Sequence, residues 1–233
     1  MFNKITLLNS KTHANKKILP VNSFKFAKKS YIASLMINEF TTAAPIYPIL
    51  FIKEGENLRP FALLGLKSGE NLFVDDTGKW NANYIPAIIR RYPFMLGRVE
   101  GKDDLRLCID EESEFLSEDK GEPLFDDEGK PSQIIENAKK YLGELHGFSE
   151  VTDRFTKELE QHGLLSMLNI QLKDNTGKAR NIEGCFGVNE KKFNEISDES
   201  FLQFRKRGIL PLIYAHLMSL SQITRLVQFE AEK

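Results

Sequence analysis

The chain has 233 residues, 41% of them hydrophobic and 28% charged, with 32 basic side chains against 33 acidic ones. That length buries enough apolar surface to fold as one large domain or two modest ones without disulfides. The even charge balance excludes the net basic footprint of a nucleic-acid binder, so no nucleic-acid partner is expected.

Cys108 and Cys185 lie far apart and outside any Cys-x-x-Cys pair. They read as buried free thiols rather than zinc ligands or a redox dithiol. The start, Met1 to Leu8, breaks into Asn9-Ser10-Lys11 before an apolar run of targeting length forms, so the expected location is cytoplasmic. Apolar stretches at 46–52 and 209–220 are interrupted by Pro48, Pro211 and His216, and no membrane span is expected. Charge is uneven: residues 1–30 carry seven lysines and no acids, while residues 100–129 carry thirteen acids and three basic groups. The two segments could attract each other, but ordinary solvated faces are the simpler expectation.

In chain order, 24–37 reads as two short strands, and Asn38 as the cap of a brief helix with Glu39 in its first turn and Pro45 beyond its end. Residues 47–52 and 59–65 flank Glu54-Gly55-Glu56-Asn57 as a hairpin. Asn71 to Val74 forms another strand, and 83–91 a helix with Pro86 in its first turn, closed by Tyr92-Pro93. Residues 94–99 and 105–109 bracket Gly101-Lys102-Asp103-Asp104 as a second hairpin.

The acidic, glycine-containing stretch 110–131 marks the main seam, which predicts a strand-rich part over 1–130 and a helical part over 131–233, with the option of one shared core. From Ser132, Ile135, Ala138, Leu142, Leu145, Phe148, Val151, Phe155 and Leu159 recur three or four apart, the spacing of a long amphipathic helix that Gly143 or Gly147 would interrupt. A hairpin pairs 168–173 with 179–188, Ser197 or Asp198 caps a following helix, Gly208 ends it, and Pro211 opens the next. The fold class is α+β: antiparallel strands first, then helices with one hairpin.

Chemistry-bearing motifs are sparse. Asp75-Asp76-Thr77-Gly78-Lys79, Asp126-Asp127-Glu128-Gly129-Lys130 and Asp174-Asn175-Thr176-Gly177-Lys178 lack the alternating ligands of a calcium loop and the upstream glycine of a phosphate loop, so they read as turns. The four histidines, His13, His146, His162 and His216, form no metal-gathering pair, and His216 sits on an apolar helix as a core histidine. No metal, cofactor or catalytic residue is assigned.

The densest segment, Asn71 to Phe94, holds the single tryptophan, two prolines and Arg90-Arg91. Guanidinium groups bind carboxylate or phosphate bidentately, and Trp80, Tyr84 and Tyr92 could frame a flat ligand. The competing expectation is that an arginine pairs internally with Glu39 or Asp75 while the aromatics fill the core. Candidate docking or ligand residues are Glu39, Tyr47, Asn71, Trp80, Tyr84, Arg90, Arg91 and Tyr92. In an alternative enzyme reading, an arginine clamps an anion while Glu39, Tyr84 or Tyr92 moves a proton.

Asn38-Glu39-Phe40, Tyr47-Pro48-Ile49, Leu64-Gly65-Leu66, Asn71-Leu72-Phe73-Val74, Gly78-Lys79-Trp80, Tyr84-Ile85-Pro86 and Arg90-Arg91-Tyr92-Pro93-Phe94 together resemble the bacterial SapC family. Ile109-Asp110-Glu111, Pro123-Leu124-Phe125-Asp126 and Tyr214-Ala215-His216 extend the resemblance over about residues 15 to 228. The family is named for a genetic locus associated with bacterial surface layers. The resemblance therefore implies an accessory or interaction role toward a surface-layer or envelope protein partner, with no catalytic motif to carry over.

Overall fold

A computed structural model describes residues 1–98, 104–173 and 179–232. The N-terminal half contains β1 (Ile5–Leu7), β2 (Lys17–Ile18), β3 (Ile32–Ser34), α1 (Phe40–Ala43), β4 (Ile49–Glu54), β5 (Asn57–Leu63), α2 (Ala87–Arg90), β6 (Phe94–Arg98), β7 (Leu105–Asp110), β8 (Leu116–Ser117) and β9 (Glu122–Pro123). There follow α3 (Gln133–Gln161), β10 (Leu165–Met167), β11 (Ile170–Lys173), β12 (Ala179–Ile182), β13 (Cys185–Val188), α4 (Glu190–Asn194), α5 (Asp198–Lys206), α6 (Ile209–Ser219) and α7 (Gln222–Ala231). The α+β class stands.

The central sheet has five strands in the order β10-β13-β4-β5-β3, every neighbouring pair antiparallel. Its spine is the expected β4–β5 hairpin, in which Glu54 faces Asn57 across a turn where Gly55 supplies φ 62°. A second sheet, β1-β7-β6, contains the expected β6–β7 hairpin, and β11 pairs with β12. The turns proposed for these two hairpins lie largely or wholly outside the described residues, as does the third Asp/Asn-Gly-Lys motif. Residues 179–188 do not form one strand: β12 returns along β11, and β13 crosses to β10 and β4.

In the third sheet β2 lies between β8 and β9, which brings the basic and acidic segments together. Lys16 meets Glu118 at 2.6 Å, Lys4 meets Glu111 at 2.8 Å, and the Lys17 ammonium donates to the Asp119 carbonyl at 3.2 Å. The charge asymmetry is therefore answered in part within the chain, although exposed pairs of this kind contribute little stability.

The largest hydrophobic cluster joins Leu35, Phe40, Tyr47, Phe51, Leu64 and Phe73 to Phe155 and Leu159 of α3, Phe204 of α5 and Ile213 of α6. A second cluster gathers Tyr92, Phe94, Ile109, Phe115 and Leu124 against Ile135 and Leu142 of α3. Helix α3 runs unbroken through Gly143 and Gly147. Each glycine faces open space and costs about 1 kcal/mol against alanine, which buried Ile135, Leu142, Leu145, Phe155 and Leu159 outweigh. Phe148 and Val151 instead stand 40% and 38% exposed.

Three local expectations are corrected. Around Phe24 the chain forms a 3-10 turn, Lys25–Ala27, because Phe24 packs edge-on to Trp80 and Phe26 stacks on Tyr92 at 4.0 Å, contacts that override the alternating pattern. Asn71–Val74 is not a strand. The Asn71 side chain accepts from the Phe73 N–H at 2.9 Å and donates to the Ala27 carbonyl at 3.1 Å, and only an isolated Val74–Trp80 bridge closes the Asp75–Lys79 turn. Asn38 caps nothing: it lies inside a 3-10 turn, Ile37–Glu39, that leads into α1.

Candidate functional site

Six of the eight candidate residues are held in hydrogen bonds that tie distant elements together. The Trp80 indole N–H donates to the Tyr47 hydroxyl at 2.9 Å, and that hydroxyl donates to the Tyr84 carbonyl. Tyr84 in turn donates its hydroxyl to Glu39 Oε1 at 2.6 Å. The same Oε1 accepts the Ala87 N–H at 2.8 Å, and Oε2 accepts the Met36 N–H at 2.8 Å. One carboxylate thus satisfies the entry to α1 and the first turn of α2, two sets of orphan amide donors. Glu39 is 3% exposed, and both of its oxygens are engaged by buried or half-buried donors.

Burial pushes the Tyr47 and Tyr84 hydroxyls above the usual phenol range, and hydrogen bonding to Glu39 raises Tyr84 further. Both are held in the neutral, donating form. Asn71 is buried in the local bonds described above. Tyr92 stacks on Phe26 and donates to Asp110 Oδ2 at 3.2 Å. Burial alone would raise the Asp110 carboxyl, but backbone N–H donors from Lys4, Asn3 and Glu112 outweigh it and hold the group below the usual carboxylate range.

The two arginines do not pair with Glu39 or Asp75. Asp75 Oδ1 accepts from the Thr77 and Lys79 amides of its own turn at 2.9 and 3.0 Å. Arg90 donates from Nε to the Ile85 carbonyl at 3.0 Å, and its guanidinium lies 5.7 Å from the ring centroids of both Tyr84 and Tyr141. Arg91 is half-buried, its buried Nε has no hydrogen-bond partner among the described residues, and its guanidinium lies 5.3 Å from the Phe2 ring centroid. Burial holds that guanidinium below the usual arginine range.

Five of the segments that meet in this network, Asn38-Glu39-Phe40, Tyr47-Pro48-Ile49, Gly78-Lys79-Trp80, Tyr84-Ile85-Pro86 and Arg90 to Phe94, lie within the span 8–226 matched by the SapC family profile. The chain belongs to the SapC family. No curated protein and no solved structure matches it.

In this SapC chain Glu39, Tyr47, Trp80 and Tyr84 meet in one network, with Arg90 over the Tyr84 ring. Asn71 and Tyr92 serve neighbouring parts of the same core. Tyr141 and Asp110 join the site without having been singled out. Tyr141 donates to the Ala87 carbonyl at 3.0 Å and faces Arg90, linking α3 to α2. Its signal was weak because it lies beside the apolar stripe of α3, whereas Asp110 already stood in the family segment Ile109-Asp110-Glu111. His216 is fully buried, with Nε2 accepting the Val188 N–H at 2.9 Å, as a core histidine should be. Among the described residues no group of three metal-binding side chains gathers, and no helix is long and apolar enough to cross a membrane.

Proposed function

We propose that this SapC protein is a non-catalytic accessory protein that acts in the cytoplasm by binding a protein partner connected with the bacterial surface layer or envelope. The observation that carries the proposal is the commitment of Glu39: its two oxygens hold Met36, Tyr84 and Ala87 and the residue is only 3% exposed, which favours a structural acceptor over a general base. An exposed apolar surface on α6 supports the binding role. There Tyr214 and Met218 stand 50% and 73% exposed beside a groove of ≈ 430 Å³ that includes Ala44, Pro45 and Pro211. Such surface costs solubility unless a partner covers it.

The test is affinity purification of the wild-type chain and of Met218→Glu from source cells, with mass spectrometry of proteins and small molecules. The proposal expects a stoichiometric protein partner with wild type and its loss with Met218→Glu, whose circular dichroism stays native. A stoichiometric metabolite with no protein would favour the enzyme reading instead.

A further inference from the structure

We propose that the cleft where Arg90 and Arg91 meet helix α3 is a binding site for a small amphipathic carboxylate. The cleft has a volume of ≈ 270 Å³ and is lined by both arginines, by Asn137 and Tyr141 of α3, and by an apolar floor that includes Phe94 and Leu142. Among the described residues no aspartate or glutamate lines it. Two adjacent arginines therefore line one space that, among the described residues, holds no carboxylate.

The surrounding carboxylates are committed elsewhere. Glu39 is held by Met36, Tyr84 and Ala87, Asp110 by Asn3, Lys4 and Tyr92, and Glu54 by Arg59 at 3.1 Å. Arg91 makes no side-chain hydrogen bond among the described residues, and Arg90 donates from Nε to the Ile85 carbonyl and also reaches the Tyr84 hydroxyl. A half-desolvated cation in this state gains most from an anion that can take two N–H donors at once, which a carboxylate does bidentately. Asn137 accepts from the Gln133 amide at 3.0 Å through Oδ1, so its own Nδ2 points the remaining polar capacity of the rim toward donation as well.

The apolar floor sets the rest of the ligand. A bare inorganic anion would leave the apolar wall, with Val21 37% exposed, in water, whereas a short hydrocarbon body attached to the carboxylate buries against it. The volume lies just below the span of about 300 to 1,000 Å³ typical of drug-sized ligands, which fixes the ligand as small. Ring faces of Tyr84 and Tyr141 on Arg90, and of Phe2 on Arg91, orient the guanidinium planes before a ligand arrives.

The test is isothermal titration calorimetry of the full chain with octanoate, octanol and inorganic phosphate. Octanoate is expected to bind one saturable site, at least about tenfold tighter than either octanol or phosphate. Arg91→Met, which keeps the apolar stem, is expected to weaken octanoate by about tenfold or more. Ala138→Trp fills the cleft while leaving both arginines in place and should do the same. If Arg91→Met fails to fold, Ala138→Trp and the octanol comparison still decide. Absence of saturable octanoate binding in the millimolar range, equal affinity for octanol or phosphate, or wild-type affinity in Ala138→Trp would overturn the proposal. The outcome is separate from partner binding at α6, since neither variant touches that face.

Discussion

Replacing Glu39 by glutamine separates a structural carboxylate from a chemical one. Oε1 accepts two hydrogen bonds, from Tyr84 and Ala87, and Oε2 accepts one, from Met36. A glutamine keeps its oxygen at the two-donor position and presents its NH₂ to the Met36 N–H, so one buried amide loses its partner. Leaving such a donor unsatisfied costs about 1–3 kcal/mol. For a chain of this size each kcal/mol lowers Tm by about 2–4 °C, which sets a drop of roughly 4–8 °C for a 2 kcal/mol loss. Glu39→Ala strips all three donors and opens a cavity, and is expected to cost about 3–5 kcal/mol. Urea unfolding followed by far-UV circular dichroism measures both, with the midpoint shifting at constant m. A Glu39→Gln protein within 0.5 kcal/mol of wild type, the usual scatter of an innocuous surface change, or one less stable than Glu39→Ala, would refute the reasoning.

Tyr47→Phe removes the acceptor of the Trp80 N–H and should cost about 1–3 kcal/mol; because Trp80 is the only tryptophan, its fluorescence reports both the local change and the unfolding curve. Burial lowers His216 to about 4, so the unfolded chain takes up a proton from about pH 6.5 downward that the folded chain refuses until about pH 4. Stability from this group is full above about pH 6.5 and falls by about 3 kcal/mol as pH drops to about 4. His216→Gln should flatten the pH dependence of the urea midpoint over that window, and identical slopes would show that another group carries it. Gly208 has φ 69° with open space where a Cβ would stand, so Gly208→Ala should cost about 1–2 kcal/mol through backbone strain alone, and Gly208→Asn less; thermal melts compare the two.

What could be read in advance depended on the range of the interaction. The β4–β5 hairpin was legible because Gly55 and Asn57 mark a tight turn between apolar runs, and α3 because its anchors recur at helical spacing. Ser197 was legible as a cap, accepting the Ser200 N–H at 3.2 Å, and so was the αL glycine at 208. Asn71 defeated the strand expectation because its side chain competes with the ladder for backbone partners. The crossing of β13 to β4 is set by tertiary packing between segments more than a hundred residues apart. At the site, the sequence placed Glu39, Tyr84 and the arginines in one family pattern, but which carboxylate each cation meets depends on distances that no spacing encodes. The outcome, arginines on aromatic rings and Glu39 on amides, reversed the expected ion pair.

The proposed function is tested most directly by native mass spectrometry of the wild-type chain drawn gently from its source cells. The account expects the 26.7 kDa chain to carry a discrete protein-sized increment, with or without a small acid bound. Recovery of the chain bearing only a stoichiometric metabolite, and no second polypeptide, would contradict it.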